Sequence, residues 1–296
     1  DKNLEIVPSL ATWETDDTQT WVFNIKDDVY FHNGDHLTAD DVVYSFEIAL
    51  DPDTASPNYE NLKIIKEIEK VDDYTVKIVL EYPFAAFLER VFTQKIVDKS
   101  VREADPEAYG LNPVGSGPFV LEKWAKNNEL VLVRNENYWM KKPNLAKVIM
   151  RPIPDPSVAL VNLEAGDVDV VMTVLPDDFA RIENNPDLVL DVVPALNYYF
   201  MNFNVENEPF NDIKVRKAIY YGVDMNAIVK TVLGNAGVRA SASLAPSSWA
   251  YDPTVEEYKL DYNPAKAMEL LKEAGYPNGF ETTIYTPQDT YRRKVA

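Results

Sequence analysis

Apolar and polar positions first fall into step at Trp21, Phe23 and Ile25, which interleave with Thr20, Val22, Asn24 and Lys26. That period of two predicts a strand with a buried face. Asn33-Gly34 breaks the chain, and Thr38 and Asp41 then stand at capping-box spacing ahead of Val42, Val43, Phe46, Ala49 and Leu50. The spacing predicts an amphipathic helix over 39–50, closed by Pro52 and Pro57. The acid-rich stretch 62–68 predicts a second helix, and Asp72-Asp73 a turn into an alternating strand over 75–80. Pro83 heads a short helix through Phe87 and Leu88. Beyond the Pro/Gly cluster 112–118, the alternating segments 119–124 and 129–134 predict an antiparallel hairpin with Asn127-Asn128 at its tip.

The second half changes rhythm. Strand-like runs over 147–153, 168–173, 188–193 and 198–205 are separated by predicted helices over 157–164 and 177–184, which suggests a mixed sheet with helical crossovers. Pro209 and Phe210 interrupt it, and a boundary is expected at 206–211. Asp212 then caps a helix carrying Val215, Ala218 and Ile219, and Asp224 one carrying Ile228, Val229 and Val232. Asn263-Pro264 and Gly275 bracket another helix, leading into a strand over 281–286. Residues 1–4 have neither the basic nor the apolar run of a targeting peptide, so one is expected to be absent or already removed. Residues 291–296 read as the first turn of a helix without a stop, so the chain is expected to be a fragment.

Composition narrows the function classes. At roughly 150 residues per domain, 296 residues predict about two domains. A content of 46% hydrophobic and 26% charged residues is that of a folded globular chain. With 29 basic and 48 acidic side chains the net charge is −19, which repels polyanions; neither nucleic acid nor an anionic bilayer is an expected partner. No stretch approaches the ~18 apolar residues of a membrane span. The lack of cysteine excludes disulfides, thiolate metal sites and cysteine nucleophiles, and leaves the redox compartment open.

Catalytic chemistry is hard to build from what remains. His32 and His36 are the only histidines, and Asn33-Gly34 between them implies a turn, where two rings do not share a helical face as a metal would need; no metal site is expected. Gly115-Ser116-Gly117 lacks the flanks of a nucleophile elbow and the third glycine of a dinucleotide loop. With 48 carboxylates, pairs such as Asp167/Asp169 arise without meaning, so no catalytic residues and no cofactor are expected. Aromatic side chains are abundant instead: 17 Tyr, 12 Phe and 5 Trp, most of them read as core. One run stands apart, from Asn197 through Tyr198, Tyr199, Phe200, Met201, Asn202 and Phe203 to Asn204. Alternation puts Tyr198, Phe200, Asn202 and Asn204 on one face, the mixture of ring and amide with which a cleft holds a polar ligand.

These segments also occur in a known order. Val7-Pro8-Ser9-Leu10-Ala11, Trp21-Val22-Phe23-Asn24-Ile25, Val29-Tyr30-Phe31-His32-Asn33-Gly34 and Leu37-Thr38-Ala39-Asp40-Asp41 are followed by Asn112-Pro113-Val114-Gly115-Ser116-Gly117-Pro118-Phe119 and Asn137-Tyr138-Trp139. Then come Gly166-Asp167-Val168-Asp169, Pro209-Phe210-Asn211-Asp212 and Asp224-Met225-Asn226-Ala227. Together they resemble the oligopeptide/dipeptide-binding family of ABC-importer solute-binding proteins, extracellular solute-binding protein family 5, along essentially the whole chain.

The resemblance implies an α/β (mixed α+β), two-lobed periplasmic-binding-protein-like fold. Residues 1–150 would be an extra subdomain of lobe I, 151–208 its sheet portion and 209–296 the start of an incomplete lobe II. It implies a monomer, periplasmic or lipid-anchored outside the cytoplasm, that closes over a peptide and delivers it to an ABC permease. Closure would hinge near 205–211. The same transport role for an oligosaccharide, nickel or haem is the alternative. A secreted carbohydrate-active enzyme is a further one, distinguished because an enzyme alters its ligand, and a sensor or scaffold that keeps the fold without a ligand is a third. By resemblance, the Tyr198-Tyr199 strand matches a segment lining the cleft, and Ser56-Pro57-Asn58-Tyr59 a loop that can touch ligand. Oligopeptide binders have an aromatic residue directly after Ser-Pro; this chain has Asn58, with Tyr59 one place later. Asn202 and Asn204 suit the hydrogen bonding of a peptide backbone, and Trp249 is a candidate weighed against plain packing.

Overall fold

The computed structural model describes residues 5–91, 93–193, 196–234, 236–246, 248, 250–288 and 290–295, with residues 290 and 291 as backbone only. The chain divides into two compact units, Asp1–Pro152 and Ile153–Ala296.

The first unit is built on a four-stranded antiparallel sheet. Its strands are β1 (Ala11–Glu14) and β2 (Thr20–Ile25) and, beyond helices α1 (Ala39–Leu50) and α2 (Tyr59–Leu62), β3 (Ile65–Asp72) and β4 (Thr75–Leu80), in the order β1-β2-β4-β3. Alternation appears where it was expected: Val76, Ile78 and Leu80 are buried, and Trp21 sits opposite Ile78 in the β2–β4 ladder. Along α1, Val42, Phe46 and Ala49 turn the apolar face inward. The hydrophobic core draws all its buried members from Trp21 to Phe87.

The expected helix over 62–68 is corrected to the end of the one-turn α2 followed by strand β3. Ile64, Ile65 and Ile68 are stiff at χ1, and β4 offers a full ladder, from Ile65 opposite Leu80 to Asp72 opposite Thr75; tertiary pairing outweighs the acidic helical spacing. As an outer strand, β3 carries exposed Lys66, Glu67 and Glu69 and two register irregularities, the means by which sheet edges avoid pairing with other chains.

After α3 (Leu88–Val91) come two short helices that sequence patterning missed, α4 (Lys99–Ala104) and α5 (Pro106–Leu111). Their signals were the caps: Asp98 accepts from the Val101 amide, Asp105 from the Ala108 amide, and Pro106 occupies the first helical turn. A second antiparallel sheet, β5 (Phe119–Ala125), β6 (Glu129–Arg134) and β7 (Lys147–Met150), contains the expected hairpin, with Asn127 left-handed at φ 61°.

In the second unit, α6 (Pro156–Ala165) is capped by Asp155, whose carboxylate accepts from the Ser157 and Val158 amides. It is followed by α7 (Phe179–Glu183). Helix α8 (Ile213–Gly222) follows Asp212, and α9 (Met225–Ile228) runs into a π-turn over Val229–Leu233. Helix α10 (Pro264–Glu273) packs on α8 through Val215, Ala218 and Ala267, fastened by the Asn263 amide on the Tyr221 carbonyl at 2.8 Å. Helix α11 (Thr290–Val295) extends the expected final turn.

The strands expected over 168–173, 188–193, 198–205 and 281–286 are corrected: among the described residues these segments form no ladder. Alternation determines which side a residue faces, but a strand also needs a neighbour to receive its amides and carbonyls. Many of their apolar side chains accordingly stand in solvent, with Met172 and Tyr285 each 93% and Val189 91% exposed.

Candidate ligand-binding segments

In the second unit, residues 198–202 are all exposed. Tyr198 and Phe200, two residues apart, bring their ring centroids to 5.1 Å, as expected of side chains on one face of an extended segment. The Arg292 guanidinium lies 5.3 Å from the centre of the Tyr199 ring, a cation–π contact. Asn202 has no hydrogen-bond partner among the described residues, whereas the Asn204 side-chain oxygen accepts from the Glu206 amide at 3.1 Å in an Asx turn. Phe203 turns the other way, into a row of rings with Phe210 and Phe280 at centroid separations of 5.4 and 5.9 Å. The segment therefore presents two tyrosines, a phenylalanine and a free amide, anchored at its end by Phe203. Trp249 lies outside the described residues.

In the first unit, the loop over 56–59 is held from within. The Asn58 amide nitrogen donates to Gln94 Oε1 at 3.0 Å, and its oxygen faces the Thr93 hydroxyl at 3.5 Å. Tyr59, half-buried, opens α2, and its amide donates to the Ser56 carbonyl at 3.1 Å. Nothing near Asn58 in the chain announced these partners, which stand 35 and 36 residues later.

The two histidines serve the backbone. His32 Nδ1 accepts from the Gly115 amide at 3.3 Å and its Nε2 donates to the Gly117 carbonyl at 3.0 Å, the neutral tautomer these partners require. Asn135 also donates to the Gly117 carbonyl, at 3.1 Å, and Trp139 Nε1 donates to the Ser116 carbonyl at 3.0 Å. The Gly-Ser-Gly segment is thus a knot tied from the connection after β6, through Asn135 and Trp139, and from the turn that carries His32. Among the described residues, no group of three or more acidic, histidine or cysteine side chains could hold a metal. An open depression of about 330 Å³ beside His36 is lined by acidic residues, but its innermost carboxylates, Asp41 and Asp98, already accept from protein donors.

Tyr109 closes the same knot by donating its hydroxyl to the Val114 carbonyl. Burial is the main cause that pushes its pKa above the ordinary tyrosine value. A raised folded value stabilises fully below about pH 10 and is lost as pH rises past the folded value. We expect Tyr109→Phe to cost about 1 kcal/mol at pH 8. The deficit should shrink above pH 10, because there the exposed phenol of the unfolded parent chain ionises, which favours unfolding of the parent and has no counterpart in the phenylalanine variant. Urea unfolding across pH 8 to 11 reads this directly, and two parallel curves would refute it.

Residues 5–296 match the family described as bacterial extracellular solute-binding proteins, family 5. Among curated relatives, a heme-binding protein A from Haemophilus influenzae is 34% identical over 96% of this chain and 56% of its own length. A dipeptide-binding protein from Escherichia coli is 33% identical over 95% of this chain and 57% of its own. Among solved structures, an ABC transporter-associated periplasmic binding protein from Helicobacter pylori in complex with peptide STSA superimposes with a TM-score of 0.78 at 29% identity, covering 93% of this chain and 58% of that one. The chain therefore spans little more than half the length of the proteins it resembles.

Proposed function

The chain belongs to the bacterial extracellular solute-binding proteins of family 5, and from that premise we propose that its parent protein captures peptides outside the cytoplasm and hands them to an ABC permease. The observation that carries this reading is the match along residues 5–296 to a family whose relatives here are named for binding, one of them for dipeptide, with another solved in complex with a peptide. The 198–204 segment supports it physically. A receptor for peptides of varied sequence needs main-chain and amide partners together with apolar walls, and this segment offers rings beside the free Asn202 amide. Tyr198, Tyr199 and Asn202 in one segment, and Tyr59 in another, are the side chains proposed to meet a ligand, and no residue is proposed to act as a catalyst. Residues 1–150, 151–208 and 209–296 would serve as the extra subdomain, sheet portion and second-lobe start. A location outside the cytoplasm, in the periplasm or at a lipid anchor, follows the description of the family as extracellular.

Native mass spectrometry of the full-length parent protein as purified, followed by denaturation, tests the reading. A ladder of peptide masses is the expected result. A single haem, metal or sugar mass would retain transport but overturn the peptide assignment; haem has a specific claim because one relative is named for it. A ligand chemically altered by the protein would overturn the binding role altogether. Given peptides, Tyr198→Ala should weaken affinity about tenfold, or about 1.4 kcal/mol, by calorimetry with the released pool. Unchanged affinity would remove Tyr198 from the site.

A further inference from the structure

Asn58 is held by a side chain whose orientation leaves it no alternative. Gln94 Nε2 donates to two carbonyls, Ser45 at 2.9 Å and Lys95 at 3.0 Å. Those acceptors require the nitrogen of the amide, so its oxygen must face the other way, toward Asn58, which in turn must offer its own nitrogen at 3.0 Å. The two amides are thereby ordered by chemistry and not by arbitrary assignment. Behind Gln94 the anchorage is deep. Ser45 is fully buried in α1; its hydroxyl donates to the Asp41 carbonyl at 2.6 Å and accepts from the Val97 amide at 2.9 Å. A continuous line of hydrogen bonds thus runs from the core-facing side of α1 through Gln94 to Asn58, the N-cap residue that directly precedes Tyr59 and α2.

We infer that Gln94 is a positioning residue for ligand binding: it fixes the 56–59 loop through Asn58 so that Tyr59 is presented in one place. Gln94 itself touches no ligand in this scheme. A loop free to move would have to be ordered on every binding event, and the clamp removes that cost beforehand. The inference rests on the proposed peptide-binding role and on Tyr59 meeting the ligand.

The test is a double-mutant cycle in the full-length parent protein, titrated with the pool of small molecules released by denaturing the purified wild-type protein. Gln94→Met and Tyr59→Ala should each weaken binding about tenfold, and the double variant should bind no worse than Tyr59→Ala alone, because an unclamped tyrosine already contributes little. A residue that merely supports the fold would instead weaken binding by the same factor whether or not Tyr59 is present. Should Gln94→Met fail to fold in a thermal scan, Asn58→Ala breaks the same link from its other end and takes its place in the cycle. Normal binding by Gln94→Met or Asn58→Ala alongside weakened Tyr59→Ala would overturn the clamp while leaving the peptide-binding role intact. Fully additive losses would overturn it too. If nothing is released from the wild-type protein, or if Tyr59→Ala and Tyr198→Ala both bind normally, the underlying role itself fails, and the clamp with it.

Discussion

Replacing Phe87 by alanine should destabilise the first unit by about 4 kcal/mol, the larger of the two strongest effects expected in this chain. The side chain has no exposure, and its ring lies with centroids 5.7 Å from Trp21 and 6.5 Å from Phe23, tilted and edge-on respectively. It is set in a 3-10 turn (Ala85–Phe87) that follows the last strand of the sheet, so that one residue from a non-strand segment closes the core over β2. Truncation would remove the transfer free energy of the ring, leave a cavity that a sheet and a helix cannot easily fill, and forfeit both aromatic contacts. Urea unfolding followed by tryptophan fluorescence would report it as a lower midpoint with an unchanged slope. Phe87→Leu, which keeps most of the volume, should recover more than half of the loss. A change below about 1 kcal/mol for the alanine variant would mean that the ring is not the plug it looks to be.

Asp41→Ala should cost about 3 kcal/mol, for a different reason. The carboxylate is buried at the start of α1, where Oδ2 accepts from the Thr38 amide at 2.9 Å and the Thr38 hydroxyl at 3.2 Å, and Oδ1 from the Lys99 amide at 3.0 Å. Alanine would leave the amides of Thr38 and Lys99 without their acceptor, one at a helix start and the other in the segment that leads into α4. Asparagine keeps one acceptor oxygen and should restore about half, through whichever amide it serves. Amide hydrogen exchange separates this mechanism from a general loosening: the Thr38 and Lys99 amides should lose protection well beyond those of β4. Equal loss throughout the unit would argue that Asp41 acts on global stability alone.

What could be read from the amino acids followed how local each cause was. The β2 and β4 strands, the capping box of α1, the hairpin at Asn127-Asn128 and the caps at Asp212 and Asn263 each depend on residues within one element, and all appear in the structure. Strand β3 was misread because its acids sit at helical spacing while its isoleucines answer to β4, which lies beyond a turn. Of the four alternating runs of the second unit, 198–205 keeps its facing pattern at the ring pair of Tyr198 and Phe200, but alternation holds no information about a neighbouring backbone. The site divided in the same way. Exposed aromatics next to amides could be picked out over 197–204, whereas the engagement of Asn58 by Gln94, or of Gly115 and Gly117 by His32, joins residues tens of positions apart through single hydrogen bonds that leave no periodicity behind.

The order β1-β2-β4-β3 also bears on when this protein can fold during synthesis. β2 cannot pair with β4 until residues 75–80 exist, and the loop between them must be closed before any of that ladder is rewarded. Yet every buried member of the core lies between Trp21 and Phe87, so the requirement ends there. As the ribosome releases Phe87, every fully buried side chain of the first core is present; partly buried neighbours such as Ile96, Val114 and Trp139 follow within the first unit, so the core can close while the whole second unit is still to be made, which keeps the slow, non-local step of the fold away from the exposed apolar runs that follow it.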